Sequence, residues 1–161
     1  MAELQETPLD QRYFEDYLEG AVVECGTVAV DEHEVIEFGR RFDPQPFHCD
    51  PAAAARGPFG GVIASGWHTA GLMMRLFVAR YISSVASLGS PGAEELKWPL
   101  PVRPGDVLRV RVSVLESRRS RSRPDRGLVR SLIEVFNQRQ ELVMSMRVLN
   151  FLRCRTDNPP Q

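Results

Sequence analysis

Asp43 and His48 stand five residues apart in Phe42-Asp43-Pro44-Gln45-Pro46-Phe47-His48, and no other pair in the chain is better suited to chemistry. A carboxylate and an imidazole together can take a proton from water and deliver one to carbon near neutral pH. Pro44 and Pro46 stiffen the segment between them, so an extended loop is expected, kinked enough to bring both side chains around one small molecule. A second feature is Ser65-Gly66, which precedes a long apolar run. The first N–H groups of a helix beginning there have no intrahelical partner and lie at the positive end of its dipole. Glycine lets a ligand approach closely. A thioester carbonyl oxygen that gains negative charge as an enolate forms would suit the Gly66 N–H.

The same residues also fit blander roles. A loop of Asp-Pro and Gln-Pro with a histidine is often a structural turn. Asp43, His48, Cys49 and Asp50 are metal-ligand types, but no second histidine or cysteine stands at ligand spacing. Cys49 as a nucleophile beside His48 is disfavoured, because neighbours in an extended loop point to opposite sides. His68 reads as a packed or dimer-facing histidine, His33 as exposed, and Met73-Met74 as core or the lining of an acyl tunnel.

The elements that must position these groups follow from pattern. Ala21 to Val30 is β-branched and reads as a strand. Asp31 with Glu34 opens a helix with a capping-box signature, which ends near Arg41 because the prolines forbid its continuation. A helical turn is expected at Pro51 to Arg56. From Gly66 to about Ser84 the chain is apolar on nearly every face, the mark of a helix covered on several sides. Strands follow at Glu94–Leu100, Val107–Glu116, Leu128–Asn137 and Leu142–Arg153, with a hairpin loop at 137–141. One strand, a buried helix and four more strands make an α+β domain with an antiparallel sheet wrapped around a long central helix. Residues 1–12 and the tail from 155 to 161 are polar and proline-containing and are expected to fray around a single domain spanning 13–154.

A net charge of −1 over 161 residues gives no global pull toward nucleic acid or an anionic membrane. Three cysteines without paired spacing read as reduced thiols in a cytoplasmic protein. The acidic N-terminus lacks signal-peptide layout, and His68, Arg75 and Arg80 interrupt the most apolar stretch, which is too short to span a bilayer. The arginine-rich run from Arg118 to Arg126 reads first as a solvated hairpin loop, then as a grip on coenzyme A phosphates, and only distantly as a nucleic-acid contact.

Tyr13-Phe14-Glu15-Asp16, residues 42–50, and Phe59-Gly60-Gly61-Val62-Ile63-Ala64-Ser65-Gly66-Trp67-His68-Thr69 resemble the MaoC-like dehydratases, which include the (R)-specific enoyl-CoA hydratases. The resemblance runs from about residue 11 to 153 and is sharpest at 42–69. It implies a hot-dog fold in which the Asp43–His48 loop belongs to a hydratase overhang. It further implies that Asp43 and His48 bind and activate a water while the Gly66 N–H holds the thioester carbonyl. The implied reaction is reversible hydration of a trans-2-enoyl-CoA to an (R)-3-hydroxyacyl-CoA, by a homodimer, with no metal or organic cofactor beyond the coenzyme A of the substrate. One departure is Gln45, where the best-described hydratases carry asparagine; its longer amide can still orient the pair. An acyl-CoA thioesterase on the same fold and a non-catalytic acyl-thioester-binding subunit are the competing readings.

Overall fold

The structure is a computed structural model and describes residues 4–155. Eleven segments of regular structure reduce to five strands and four helices that matter for the site. Strand β1 (Val22–Ala29) is followed by helices α1 (Glu32–Phe42), α2 (Pro46–Cys49), α3 (Pro51–Arg56) and α4 (Gly66–Arg80). Strands β2 (Gly92–Lys97), β3 (Val107–Arg119), β4 (Arg126–Phe136) and β5 (Leu142–Arg153) complete the chain. All pairings are antiparallel and the sheet order is β1-β3-β4-β5-β2. This is the α+β hot-dog arrangement that the sequence implies.

Alternation builds the core. Val110, Val112 and Val114 of β3, with Val129, Ile133 and Val135 of β4, are buried on the face that receives α4. Their neighbours point the other way and pair in charge, as Arg109 does with Glu24 and Arg111 with Glu134. A sheet with one apolar and one solvated face is the antiparallel norm. Leu72, Met73 and Phe77 seat α4 on that apolar face, against β1 and β3.

Several expectations are corrected. The central helix stops at Arg80 rather than near Ser84, and it is not covered all round: Trp67, Met74 and Val78 form an exposed apolar stripe on it. Strand β2 ends at Lys97, since Pro99 and Pro101 cannot donate to a ladder. Strand β3 takes in Arg118 and Arg119, leaving 120–125 as the loop.

Of the stretch expected to fray, residues 4–12 have mostly exposed side chains, but the two ends are anchored. Leu4 is buried, and the Arg12 guanidinium, only 2% exposed, donates to the carbonyls of Thr7, Arg80 and Tyr81. Two of these are carbonyls at the end of α4, so Arg12 satisfies acceptors that a helix terminus leaves open. Tyr17 adds a donor to the Tyr81 carbonyl at 2.9 Å. At the other terminus Arg155 is held by Asp16 and the Gln11 carbonyl, and the rest of the expected tail lies outside the described residues.

Candidate functional site

The chain turns sharply where α1 ends. Asp43 caps α1, its N–H donating to the Gly39 carbonyl, and Pro44 prevents another turn. The segment after it is not the extended loop that the prolines suggest. Pro46 occupies the first position of α2, where a missing N–H costs nothing. His48 therefore projects from a helical turn and is 5% exposed.

Backbone groups fix that turn. The Ile63 N–H donates to the Phe47 carbonyl at 2.9 Å, and His48 Nδ1 lies 2.8 Å from the Ile63 carbonyl oxygen. A carbonyl can only accept, so Nδ1 carries the proton and Nε2 faces the site. Gly39 makes room on the opposite side. A methyl group there would sit 2.7 Å from the His48 carbonyl oxygen and 2.9 Å from its Cβ.

Asp43 Oδ2 lies 3.2 Å from His48 Nε2. The same oxygen accepts from Ser65 Oγ at 2.7 Å, and Oδ1 accepts from Gln45 Nε2 at 2.8 Å. Partial burial pulls the Asp43 carboxyl upward, but the hydrogen bonds from Gln45 and Ser65 and the charge of His48 outweigh it, leaving Asp43 below its ordinary value. Asp43 is thus a carboxylate at neutral pH. With a proton on Nε2 the pair is an ion pair. Without one, Oδ2 and Nε2 are two acceptors flanking the position of a single water molecule.

Ser65 ties this pair to α4. It is the N-cap residue, its Oγ accepting from the Trp67 N–H at 3.3 Å while donating to Asp43. The next residue, Gly66, starts the helix, and among the described residues no hydrogen bond takes up its N–H. A side chain at Gly66 would overlap the indole of Trp98, so here glycine admits an aromatic wall of the protein itself. All five residues singled out from the sequence, Asp43, Gln45, His48, Ser65 and Gly66, meet in this one corner.

Sequence reasoning missed three contributors. Gly39 was legible only as a glycine inside a helical pattern, the Ile63 carbonyl carries no sequence signal, and Trp98 lay in a segment read as strand. The arginine loop goes the other way. The Tyr81 hydroxyl at the end of α4 bonds Ser131 of β4 at 2.7 Å, which places the β3–β4 turn at the far end of α4 from Gly66. A 15-residue helix is about 22 Å long, and the loop and Gly66 stand toward opposite ends of it. Among the described residues no group of three or more histidine, cysteine, aspartate or glutamate side chains converges as a metal site. No helix among them is long and apolar enough to cross a membrane.

Comparison with known proteins places this geometry. A model of the MaoC like domain matches residues 16–134, which include the whole corner. A 3-hydroxybutyryl-CoA dehydratase from Methylorubrum extorquens is 37% identical over 109 residues, 65% of this chain and 64% of that protein. An uncharacterized protein of Bacillus subtilis, YdeM, is 26% identical over 126 residues, 78% of this chain and 88% of its own length. The crystal structure of a MaoC-like dehydratase from Rhodospirillum rubrum superposes with a TM-score of 0.83 at 38% identity, covering 90% of this chain and 99% of that one. The chain belongs to the MaoC-like family of hydratases and dehydratases.

Proposed function

We propose that the protein is an enoyl-thioester hydratase that adds water reversibly to a trans-2-enoyl-CoA, giving an (R)-3-hydroxyacyl-CoA. The observation that carries this reading is the pairing of Asp43 Oδ2 with His48 Nε2 at 3.2 Å, one residue from the open N–H of Gly66 through the Ser65 bond. The pair binds a water and removes one of its protons as the water oxygen attacks C3. The double-bond electrons move toward the thioester oxygen, which the Gly66 N–H stabilises as an enolate. The proton held by the pair then goes to C2, and the atoms balance without metal or organic cofactor. Ser65 and Gln45 hold Asp43 ionised and aimed.

In this reading the working form is a cytoplasmic homodimer. The exposed stripe of Trp67, Met74 and Val78 on α4 supports the dimer, since such apolar surface marks an association face. The three free cysteines support the reducing compartment.

The test follows the enoyl-thioester absorbance of crotonyl-CoA and longer trans-2-enoyl-CoAs, with Asp43→Asn and His48→Ala in parallel. Wild-type turnover with kcat/KM lowered about 10²- to 10⁴-fold in each variant is expected. Release of free thiol without hydration would replace this reading with a thioesterase. Thioester binding without either reaction would make the protein a binding subunit.

A further inference from the structure

The segment 61–66 that leads into α4 is gripped on both edges. On one edge the Ile63 N–H donates to the Phe47 carbonyl and the Ile63 carbonyl receives His48 Nδ1, which seats the dyad. On the other edge the Ala64 N–H donates to the Val102 carbonyl at 2.8 Å, so residues 98–103 run along the side away from the dyad. Trp98 lies against Gly66 at one end of that run. At the other end Arg103 Nη1 lies 3.9 Å from the position a Cβ would take on Gly61. Pro99 and Pro101 stiffen the stretch between them. Trp98 and Leu100 are 39% and 41% exposed, so an open apolar strip leads from Gly66 toward Arg103. Five residues of extended chain cover at most about 17 Å.

The main chain of Arg103 is clamped while its side chain stays unpaired. Arg103-Pro104-Gly105-Asp106 is a tight turn in which the Asp106 N–H donates to the Arg103 carbonyl at 3.0 Å and Gly105 takes φ +89°. The buried Asp106 carboxylate accepts from the Arg103 N–H at 2.9 Å and, through its other oxygen, from Gln138 Nε2 at 2.9 Å. Both its oxygens thus serve other donors. Among the described residues no carboxylate forms an ion pair with the exposed Arg103 guanidinium. Beside it, the Gly61 N–H has no acceptor among those residues either. Arg121 also lacks an ion-pair partner among them, but it stands in the β3–β4 loop, toward the far end of α4 from Gly66.

We propose that Arg103 binds the phosphate at the far end of the substrate's 4′-phosphopantetheine arm, with Trp98 and Leu100 flanking the arm. The inference rests on the hydratase reading, which seats the thioester oxygen on the Gly66 N–H. A thioester carbonyl carbon carries the acyl chain on one side and sulfur on the other. With C3 turned to Asp43 and His48, the sulfur leaves toward the opposite edge, where residues 98–103 run. The arm is uncharged and carries methylene and methyl groups until it reaches the phosphate, which matches an apolar strip ending in a cation. Guanidinium and phosphate then form charge-assisted hydrogen bonds. Coenzyme A and an acyl carrier protein both present a phosphate at this point, so the same contact can serve either carrier.

The experiment has a turnover part and a binding part. In the first, kcat/KM is measured for the crotonyl thioesters of pantetheine, 4′-phosphopantetheine, coenzyme A and a phosphopantetheinylated carrier protein, in wild type, Arg103→Gln and Arg103→Lys. In the second, calorimetry measures binding of the saturated butyryl thioesters of pantetheine and 4′-phosphopantetheine, which cannot be hydrated. The expected result is that the phosphate raises wild-type kcat/KM about tenfold or more over pantetheine. In Arg103→Gln that ratio falls to about one, in Arg103→Lys part of it survives, and thermal melting verifies that the variants fold. A loss in Arg103→Gln with coenzyme A, with the carrier protein or with both then assigns the carrier that supplies the phosphate. No gain from the phosphate in wild type, or a gain that survives Arg103→Gln, overturns the inference while leaving hydration intact. A gain confined to coenzyme A and absent with 4′-phosphopantetheine overturns it too, because the contact then lies on the nucleotide beyond the arm. If no thioester is hydrated yet the phosphate tightens butyryl-thioester binding only where Arg103 is present, the hydratase reading fails and the phosphate site stands.

Discussion

Replacing Gly39 with alanine separates the role of close packing from that of helix propensity. Gly39 lies inside α1, where alanine on its own stabilises a helix by about 1 kcal/mol over glycine. The new methyl would lie 2.7 Å from the His48 carbonyl oxygen, about 0.7 Å inside the ordinary contact limit of 3.4 Å. The obstacle is backbone, which cannot swing aside as a side-chain end does. Overpacking of this kind costs about 1–3 kcal/mol, so after the propensity gain the net expectation is a loss of up to about 2 kcal/mol. For a chain of this size that lowers the melting temperature by up to about 8 °C. Relief comes from moving α2, which carries the His48 ring away from Asp43 and from the Ile63 carbonyl. Misplacement of a catalytic group by about 1 Å costs about 100-fold in rate, so kcat/KM for crotonyl-CoA hydration is expected to fall about 10- to 100-fold. Calorimetry and the absorbance assay measure the two effects separately. A variant that melts higher than wild type with unchanged kcat/KM would refute the reasoning, because the propensity gain would then be unopposed.

Ser65→Ala removes both the bond to Asp43 and the cap on Trp67, so a loss of about 1–2 kcal/mol and an upward shift of the Asp43 carboxyl in carbon-13 NMR are expected. Because Asp43 is depressed in the folded state, its stabilising contribution is present above its unfolded value of 3.8 and fades as pH falls through the folded value; melting temperatures of Ser65→Ala should therefore depend less on pH in the acid range. Tyr17 is pushed up to about 12, chiefly by burial, so its contribution is whole below the unfolded value of 10.0 and lost as pH rises toward 12; alkaline melting should begin there and flatten in Tyr17→Phe. Arg12→Met leaves the Arg80 and Tyr81 carbonyls without this donor, and urea titration should show a loss of about 2–3 kcal/mol.

The legibility of the chain follows from how local each cause is. Strand β5 matches the alternation in Leu142–Arg153 because a period of two with one buried face leaves little freedom of register. Asp31 caps α1 as expected, since its acceptor serves a donor three residues away. The loop with the dyad was half legible. Pro44 ends one helix, but Pro46 begins another, and the same residue type signals both until the neighbouring packing is known. By spacing Glu34 fits the return half of a capping box, yet its carboxylate reaches α4, a contact between residues 34 apart that no local pattern encodes. Trp67, Met74 and Val78 are as apolar as the residues that seat α4 on the sheet, so composition alone implies coverage on several sides where these three stand exposed.

The two members of the dyad differ in who holds them. His48 Nδ1 is fixed by a main-chain carbonyl, which every amino acid at position 63 would present. Asp43 is held by the side chains of Ser65 and Gln45, each open to replacement by a single codon change. Divergence within this fold can therefore retune the carboxylate readily, whereas the ring orientation is insulated from substitution at its partner. A saturation scan should find that position 63, whose side chain is buried, accepts apolar replacements of similar size without loss of the ring contact, and that positions 45 and 65 respond in grades. Divergence would then have an adjustable half and a hard-wired half to work with, the second keeping the ring's proton arrangement constant while the first drifts.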